Sequence, residues 1–189
     1  MRTSGEETKA RIERAAISVF SRSGINGTSI KEIAKAAGVS QGAMYNHYTS
    51  KEELAWELFS RSWGEIGGEL RRRAREGGTL RQKLHAAIQH VFELYEKDPE
   101  LVTFVYFSRH DHLRRVGVRL QNPYMVFRLI IADAMKRGEI PRRNPEVMTA
   151  MTAGILIQMI DSKALGRIRE NLSQLTDMVT DGCYRLLAA

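Results

Sequence analysis

Cysteine is almost missing from this chain: Cys183 is the only one in 189 residues. No intrachain disulfide can form, which points to a reducing compartment. Its neighbours make it a small buried hydrophobe rather than a nucleophile. No segment keeps the period-two alternation of a half-buried strand, and nothing repeats or is of low complexity. Long apolar runs are also lacking. The most apolar stretch, residues 150–160, contains Thr152 and Gln158 and is too short to span a bilayer. The opening MRTSGEETKAR has no apolar centre resembling a signal peptide. A cytoplasmic protein without a membrane partner is expected. There is no Gly-x-Ser-x-Gly elbow, His-Glu-x-x-His pair, phosphate-binding Gly-Lys-Ser/Thr loop or dinucleotide fingerprint. A scattered catalytic set would escape that test, so an enzyme is the weakest alternative rather than an excluded one. His110-Asp111-His112 has a metal-like composition, but adjacent helical residues diverge around the circumference. No catalytic residue, metal ligand or cofactor is assigned.

What the chain does have is positive charge. It carries 29 Lys+Arg against 22 Asp+Glu, a formal net charge of +7. A polyanionic partner such as DNA fits that balance, as do an acidic ligand, an anionic membrane or an ordinary basic surface.

Helical patterning runs throughout. A first helix over about 6–23 places Ile12, Ala15, Ala16, Val19 and Phe20 on one face, with Gly24 as its stop. Ser50 and Glu53 form a capping box that opens a long helix over about 51–75, closed by Gly77-Gly78. Three of the four prolines follow a capping side chain, in Asp98-Pro99, Asn122-Pro123 and Asn144-Pro145. They open helices over about 99–108, 123–137 and 145–165. Further helices are expected over about 80–97 and 171–187, with Gly138 ending the one before Pro141. Residues 111–121 read as either helix or loop.

The densest information lies in residues 28–54, TSIKEIAKAAGVSQGAMYNHYTSKEEL. Ser29 and Glu32 make a capping box. Ile33, Ala34 and Ala37 give an inward face, and Gly38 sits where the chain must turn sharply. Val39 fills the gap between two helices, and Ser40 caps the second. That second helix, about 41–48, packs through Ala43 and Met44. It leaves Gln41, Gly42, Tyr45, Asn46 and His47 as an uncharged, hydrogen-bonding surface suited to a DNA groove.

These residues resemble the helix-turn-helix of TetR-type transcriptional regulators. TSIKEIAKAAGVS is similar to that family's second helix and turn. Tyr45-Asn46-His47-Tyr48 with Lys51-Glu52-Glu53-Leu54 is similar to its recognition-helix end and the start of helix four. The likeness covers about residues 8–58. It implies an all-α fold of about nine helices: a three-helix DNA-binding domain over 1–50 and a helical effector-binding and dimerisation domain over 51–189. It places Gln41, Gly42, Ala43 and His47 near base edges and Tyr45 at a phosphate. Lys51 becomes the family's phosphate-binding lysine, and Lys31 with the Thr28–Ser29 helix start adds backbone contacts. Other readings stay open, since His47 also suits a cap, Lys51 a solvated helix end and Ala43 a position that only permits close approach. Tyr48 reads as core.

The arginine run Arg71-Arg72-Arg73, with Arg75, lies at the far end of the long helix, about 30 Å of helical rise beyond Lys51. It reads as a solvated face near a helix C-terminus. Phe92, Tyr95, Phe104, Phe107, Tyr124 and Phe127 read as core or, through the resemblance, as the wall of an effector cavity. Arg128 and Gln158 are its polar groups, with Asp161 and His90 as further candidates. The effector then is a small apolar molecule with one polar or anionic end. Ala150, Gly154, Ile155, Leu172, Leu175, Val179 and Leu186 read as a homodimer interface that would match a palindromic operator. The expected function is a ligand-responsive, homodimeric repressor. The alternatives are an activator of the same family, or a DNA-binding or interaction protein that senses nothing. Gly64, Gly67 and Gly68, inside the long helix, suggest a soft point between effector and DNA.

Overall fold

The computed structural model describes residues 3–76, 78–112, 115 and 122–189, leaving aside the side chains of residues 3, 4, 110 and 111. Among these residues it contains nine α-helices and no strand. The chain divides into two compact units, one of residues 1–62 with 100–117, the other of residues 63–99 with 118–189.

In the first unit, α1 (Thr3–Ser23) packs on α2 (Ile30–Ala37), which leads into α3 (Gln41–Tyr45). Ile12, Ala16 and Phe20 of α1 are buried, as are Ile33, Ala34 and Ala37 of α2 and Met44 of α3. The long α4 (Lys51–Arg75) adds Leu54, Ala55, Leu58 and Phe59 to this core from its first half. Most of α6 (Pro99–His112) belongs here too, with the ring of Phe104 stacked on that of Phe20 at 5.6 Å. Glu100 fixes the start of α6 by accepting hydrogen bonds from Arg14 (2.7 Å) and Ser18 (2.6 Å) of α1. His112, at the other end, packs against Trp56 and Phe59.

The second unit holds α5 (Leu80–Lys97), α7 (Pro123–Arg137), α8 (Pro145–Ala164) and α9 (Thr176–Ala188). α5 packs on α9 and α7 on α8, and a 3-10 turn at Leu172–Leu175 precedes α9. Its core is Leu80, Leu84, Ile88, Phe92, Ile131, Leu156, Ile160 and Leu187 with Cys183, whose thiol is pushed up to about 11 by burial.

The capping signals account for most of the boundaries. Asn122 and Asn144 each accept the backbone N–H two residues on, at 2.9 Å, with proline at the first helical position. Ser50 caps Glu53 (3.0 Å), and the returning Glu53 carboxylate takes the N–H of Thr49 at 2.7 Å. α3 is shorter than its pattern. The N–H groups of His47 and Tyr48 both bond to the Met44 carbonyl, so the chain turns there and Tyr48 goes into the core. α6 continues past residue 108 to His112. Of residues 111–121, all but Asp111, His112 and Arg115 lie outside the described residues, as does Gly77. The division between units falls inside α4, at residues 62 and 63, rather than ahead of it at residue 50.

Candidate nucleic-acid interface

The turn between α2 and α3 is fixed by its own backbone and by one side chain from α1. Gly38 adopts φ 65°, ψ 38°, a left-handed conformation that L side chains avoid. Its N–H bonds to the Lys35 carbonyl (3.2 Å) and that of Val39 to the Ala34 carbonyl (3.0 Å), the paired bonds of a Schellman cap. Arg11 then donates to the carbonyls of Ala37 (2.7 Å) and Gly38 (3.0 Å), placing a cation at the negative end of α2. At the other end of α2 the capping box is complete: Ser29 Oγ accepts from Glu32 N–H (3.2 Å) and Glu32 from Ser29 N–H (2.7 Å). The backbone and side-chain bonds of Ser29 hold the Glu32 carboxyl below its usual range. Ser40 caps α3 by accepting from Ala43 N–H at 3.1 Å.

These constraints leave a defined outer surface. Gln41, Gly42, Tyr45 and Asn46 are exposed, Tyr45 at 55%, while Ala43 and His47 are half-covered and Met44 is buried beneath them. Lys31 and Lys35, one turn apart on α2, are exposed as well. Behind the surface, the Tyr48 hydroxyl donates to Glu13 (2.8 Å), which also pairs with Arg61 (2.6 Å). Burial works against the charge on Glu13. The hydrogen bonds of Arg61 and Tyr48, with the charges of Arg61 and Lys9, outweigh it and hold the carboxyl below its usual value. Burial, with the bond to Glu13, pushes the Tyr48 hydroxyl well above the usual tyrosine range.

Two residues expected at DNA phosphates are placed differently. Thr28 is buried and its hydroxyl donates to the Gly24 carbonyl at 2.7 Å. The Lys51 ammonium donates to the carbonyls of Thr28 (2.7 Å), Ile25 (2.9 Å) and Asn26 (3.5 Å). The ammonium is therefore held, by two short bonds and one long one, on the loop that delivers the chain to α2. Gly27 sits within the same loop, where a Cβ would fall 2.3 Å from the Ser23 carbonyl oxygen. Ser29 keeps an exposed position, though its hydroxyl is engaged with Glu32. Sequence spacing gave no sign of the Arg11 clamp or the Lys51 staple, because each joins positions more than 20 residues apart.

The residues expected around an effector are dispersed. Phe104 and Phe107 belong to the first unit, Phe104 as core against Phe20 and Phe107 exposed. Phe92, Tyr95 and Phe127 are buried in the second unit. Tyr124 and Arg128 both bond to Glu146 at the start of α8. Gln158 is exposed and bonds within α8, to Asp161 (3.4 Å) and Ser162 (3.2 Å). Of the expected interface residues, Ala150 and Gly154 are exposed and Ile155, Leu175 and Leu186 half-covered. Leu172 and Val179 are buried within the subunit and have no surface left to offer a partner. Exposed apolar groups missed in the sequence lie close by in the chain: Val147 and Met151 on α8 and Met178 on α9.

A capped helix, a Schellman turn and a short second helix with an outward polar face form a helix-turn-helix, the motif by which many proteins read DNA. Residues 12–58 match the family described as bacterial regulatory proteins, tetR family. The transcriptional regulator AcrR of Shigella flexneri is 38% identical over 118 residues, 60% of this chain; the match spans about half of that relative's length, 54%. The fatty acid degradation regulator FadR of Bacillus halodurans superposes with a TM-score of 0.80 at 19% identity, covering 94% of each chain. FadR of Bacillus subtilis, solved in complex with stearoyl-CoA, gives 0.74 at 21% identity, covering 93% of this chain and 97% of that one. Over residues 12–58 the chain is thus similar to the helix-turn-helix of the tetR family, and its fold is that of the two FadR structures.

Proposed function

We propose that this protein is a homodimeric repressor that binds a palindromic operator and leaves it when a small, largely apolar effector binds. The observation that carries the reading is the outward set Gln41, Gly42, Tyr45 and Asn46, held on a short helix by Ser40 below and Arg11 at the turn. Gln41 and Asn46 offer paired donors and acceptors to base edges, and the Tyr45 hydroxyl reaches a phosphate oxygen. Lys31 and Lys35 supply cations beside them, while Lys51 acts indirectly by holding the loop that sets α2. A non-enzymatic role agrees with the regulators the chain resembles. No helix among the described residues is long and apolar enough to cross a membrane, in keeping with work in the cytoplasm.

Two further observations support the finer points. Bacillus subtilis FadR, with this fold, holds stearoyl-CoA, an apolar chain with an anionic head. Val147, Met151 and Met178 are exposed apolar side chains, and Gly154 and Gly182 have open space where a Cβ would stand, which suits close helix approach by a second copy. Selection of bound fragments from a random duplex library tests the reading. An inverted repeat is expected, with affinity abolished in Gln41→Ala and reduced in Tyr45→Phe, and with release on adding stearoyl-CoA or a free fatty acid. Bound fragments without two-fold symmetry would remove the dimeric-operator reading, and an operator complex indifferent to both lipids would remove the effector class.

A further inference from the structure

The arginine run at the end of α4 separates into two pairs. Arg72 and Arg73 are neutralised on their own helix: Arg72 donates to Glu69 (2.6 Å) and Glu76 (2.5 Å), and Arg73 to Glu69 (2.8 Å). Arg71 and Arg75 have no carboxylate partner among the described residues. They line a cavity of about 360 Å³ in the second unit, between α4, the start of α5 and α7. Lys83 and Lys136 stand at the same cavity, opposed by the single carboxylate of Asp133. That carboxylate is already shared by Lys83 (3.5 Å) and Arg137. The positive charge of Arg71, Arg75 and Lys136 is therefore uncompensated among the described residues. Arg71 Nε is in addition buried with no hydrogen-bond partner among the described residues, a desolvated donor for an arriving acceptor to satisfy. Along one wall Val126 and Ile130 are buried and Leu129 is 49% exposed.

We infer that this groove binds an amphiphilic phosphate ester, its phosphate on the three unpaired cations and its alkyl chain against Leu129, Val126 and Ile130. A dianion matches several uncompensated cations better than a monoanion does. Arginine forks recognise phosphate oxygens in pairs, and the exposed leucine gives a chain apolar surface to cover. The volume lies within the range of small-molecule sites. None of the aromatic residues expected around an effector lines this groove, and its occupancy is measured without DNA, so the inference stands apart from the repressor reading.

Titration calorimetry with octyl phosphate below its micellar concentration is the test, with inorganic phosphate and octyl glucoside as comparison ligands. Saturable binding of one octyl phosphate per chain is expected, with inorganic phosphate about tenfold weaker or more and octyl glucoside silent. Arg75→Gln with Lys136→Gln, both at exposed positions and so without cost to folding, should weaken octyl phosphate about tenfold. Leu129→Asn should weaken octyl phosphate but leave inorganic phosphate unchanged. Unaltered affinity in the double variant overturns the inference. So does equal binding of inorganic phosphate, which leaves only an ion site, or of octyl glucoside, which leaves only apolar adsorption. Displacement of octyl phosphate by duplex DNA lacking the operator would reassign the groove to nucleic acid and overturn it too.

Discussion

Lys51 illustrates how far one side chain can depart from what its motif suggests. Its position beside the polar helix is the one the family resemblance assigns to a phosphate contact, yet its ammonium is held on main-chain carbonyls of the loop between α1 and α2. Those carbonyls belong to a segment whose Gly27 leaves no room for a Cβ and whose Thr28 hydroxyl is turned back onto Gly24. The bonds to Ile25 and Thr28 are part-buried and that to Asn26 is exposed, so the loss of the donor costs at most about the 1–3 kcal/mol of a fully buried carbonyl. Lys51→Ala should therefore lower stability by up to that amount in denaturant unfolding, whereas Tyr45→Phe, at an exposed position, should leave stability unchanged. Operator affinity of Lys51→Ala should fall with little change in the salt slope, since an ammonium whose donors are directed at loop carbonyls makes no direct phosphate contact. A variant as stable as the parent, whose salt slope becomes shallower by about 0.9 for each subunit bound, would return Lys51 to the phosphate.

Among the helices, α4 connects the two units, with its first half in one and its second half in the other. Gly64, Gly67 and Gly68 follow closely on the division at residues 62 and 63, yet the helix is unbroken from Lys51 to Arg75. Interior glycine weakens a helix by about 0.5–1 kcal/mol relative to alanine, so this stretch deforms more readily than its neighbours. Gly64 and Gly68 are half-buried and Gly67 is buried, which makes the first two the better places for a methyl group. Gly64→Ala with Gly68→Ala should raise the unfolding midpoint and blunt the effect of the effector on operator affinity. A stabler protein with an undiminished response would separate the glycines from the coupling. Element by element, the sequence was most legible where the signal is local. Caps at Ser29, Ser40, Asn122 and Asn144, and the inward face of Ile33, Ala34 and Ala37, follow from spacings of a few residues. It was illegible where partners are remote. Arg11 on the turn, Lys51 on the loop and Glu100 on α1 obey no period, and an aromatic such as Phe104 looks the same in sequence whether it lines a cavity or stacks on Phe20.

At the scale of the whole molecule, a single helix-turn-helix presents one short polar helix, too little surface to select a site among many competing sequences. Two copies related by a two-fold axis double the contacts and fix the half-site spacing. The exposed Met178 on α9 and the Val147–Met151 pair on α8 are the apolar surface on which such a pairing can be tested. Met151→Glu with Met178→Glu puts four carboxylates into the proposed dimer contact but leaves the subunit core untouched, because both side chains are already outside it. The variant should sediment as a monomer and keep the unfolding transition of a folded subunit. Its operator affinity should drop by about a hundredfold, as the second half-site no longer benefits from effective concentration. The slope of log affinity against log salt carries separate information. Each neutralised phosphate contributes about −0.9, so a monomer on one half-site should give half the parent slope. A monomer with the full slope would mean that one subunit makes all the phosphate contacts. An undiminished dimer would place the pairing surface away from α8 and α9, leaving the exposed methionines to another role.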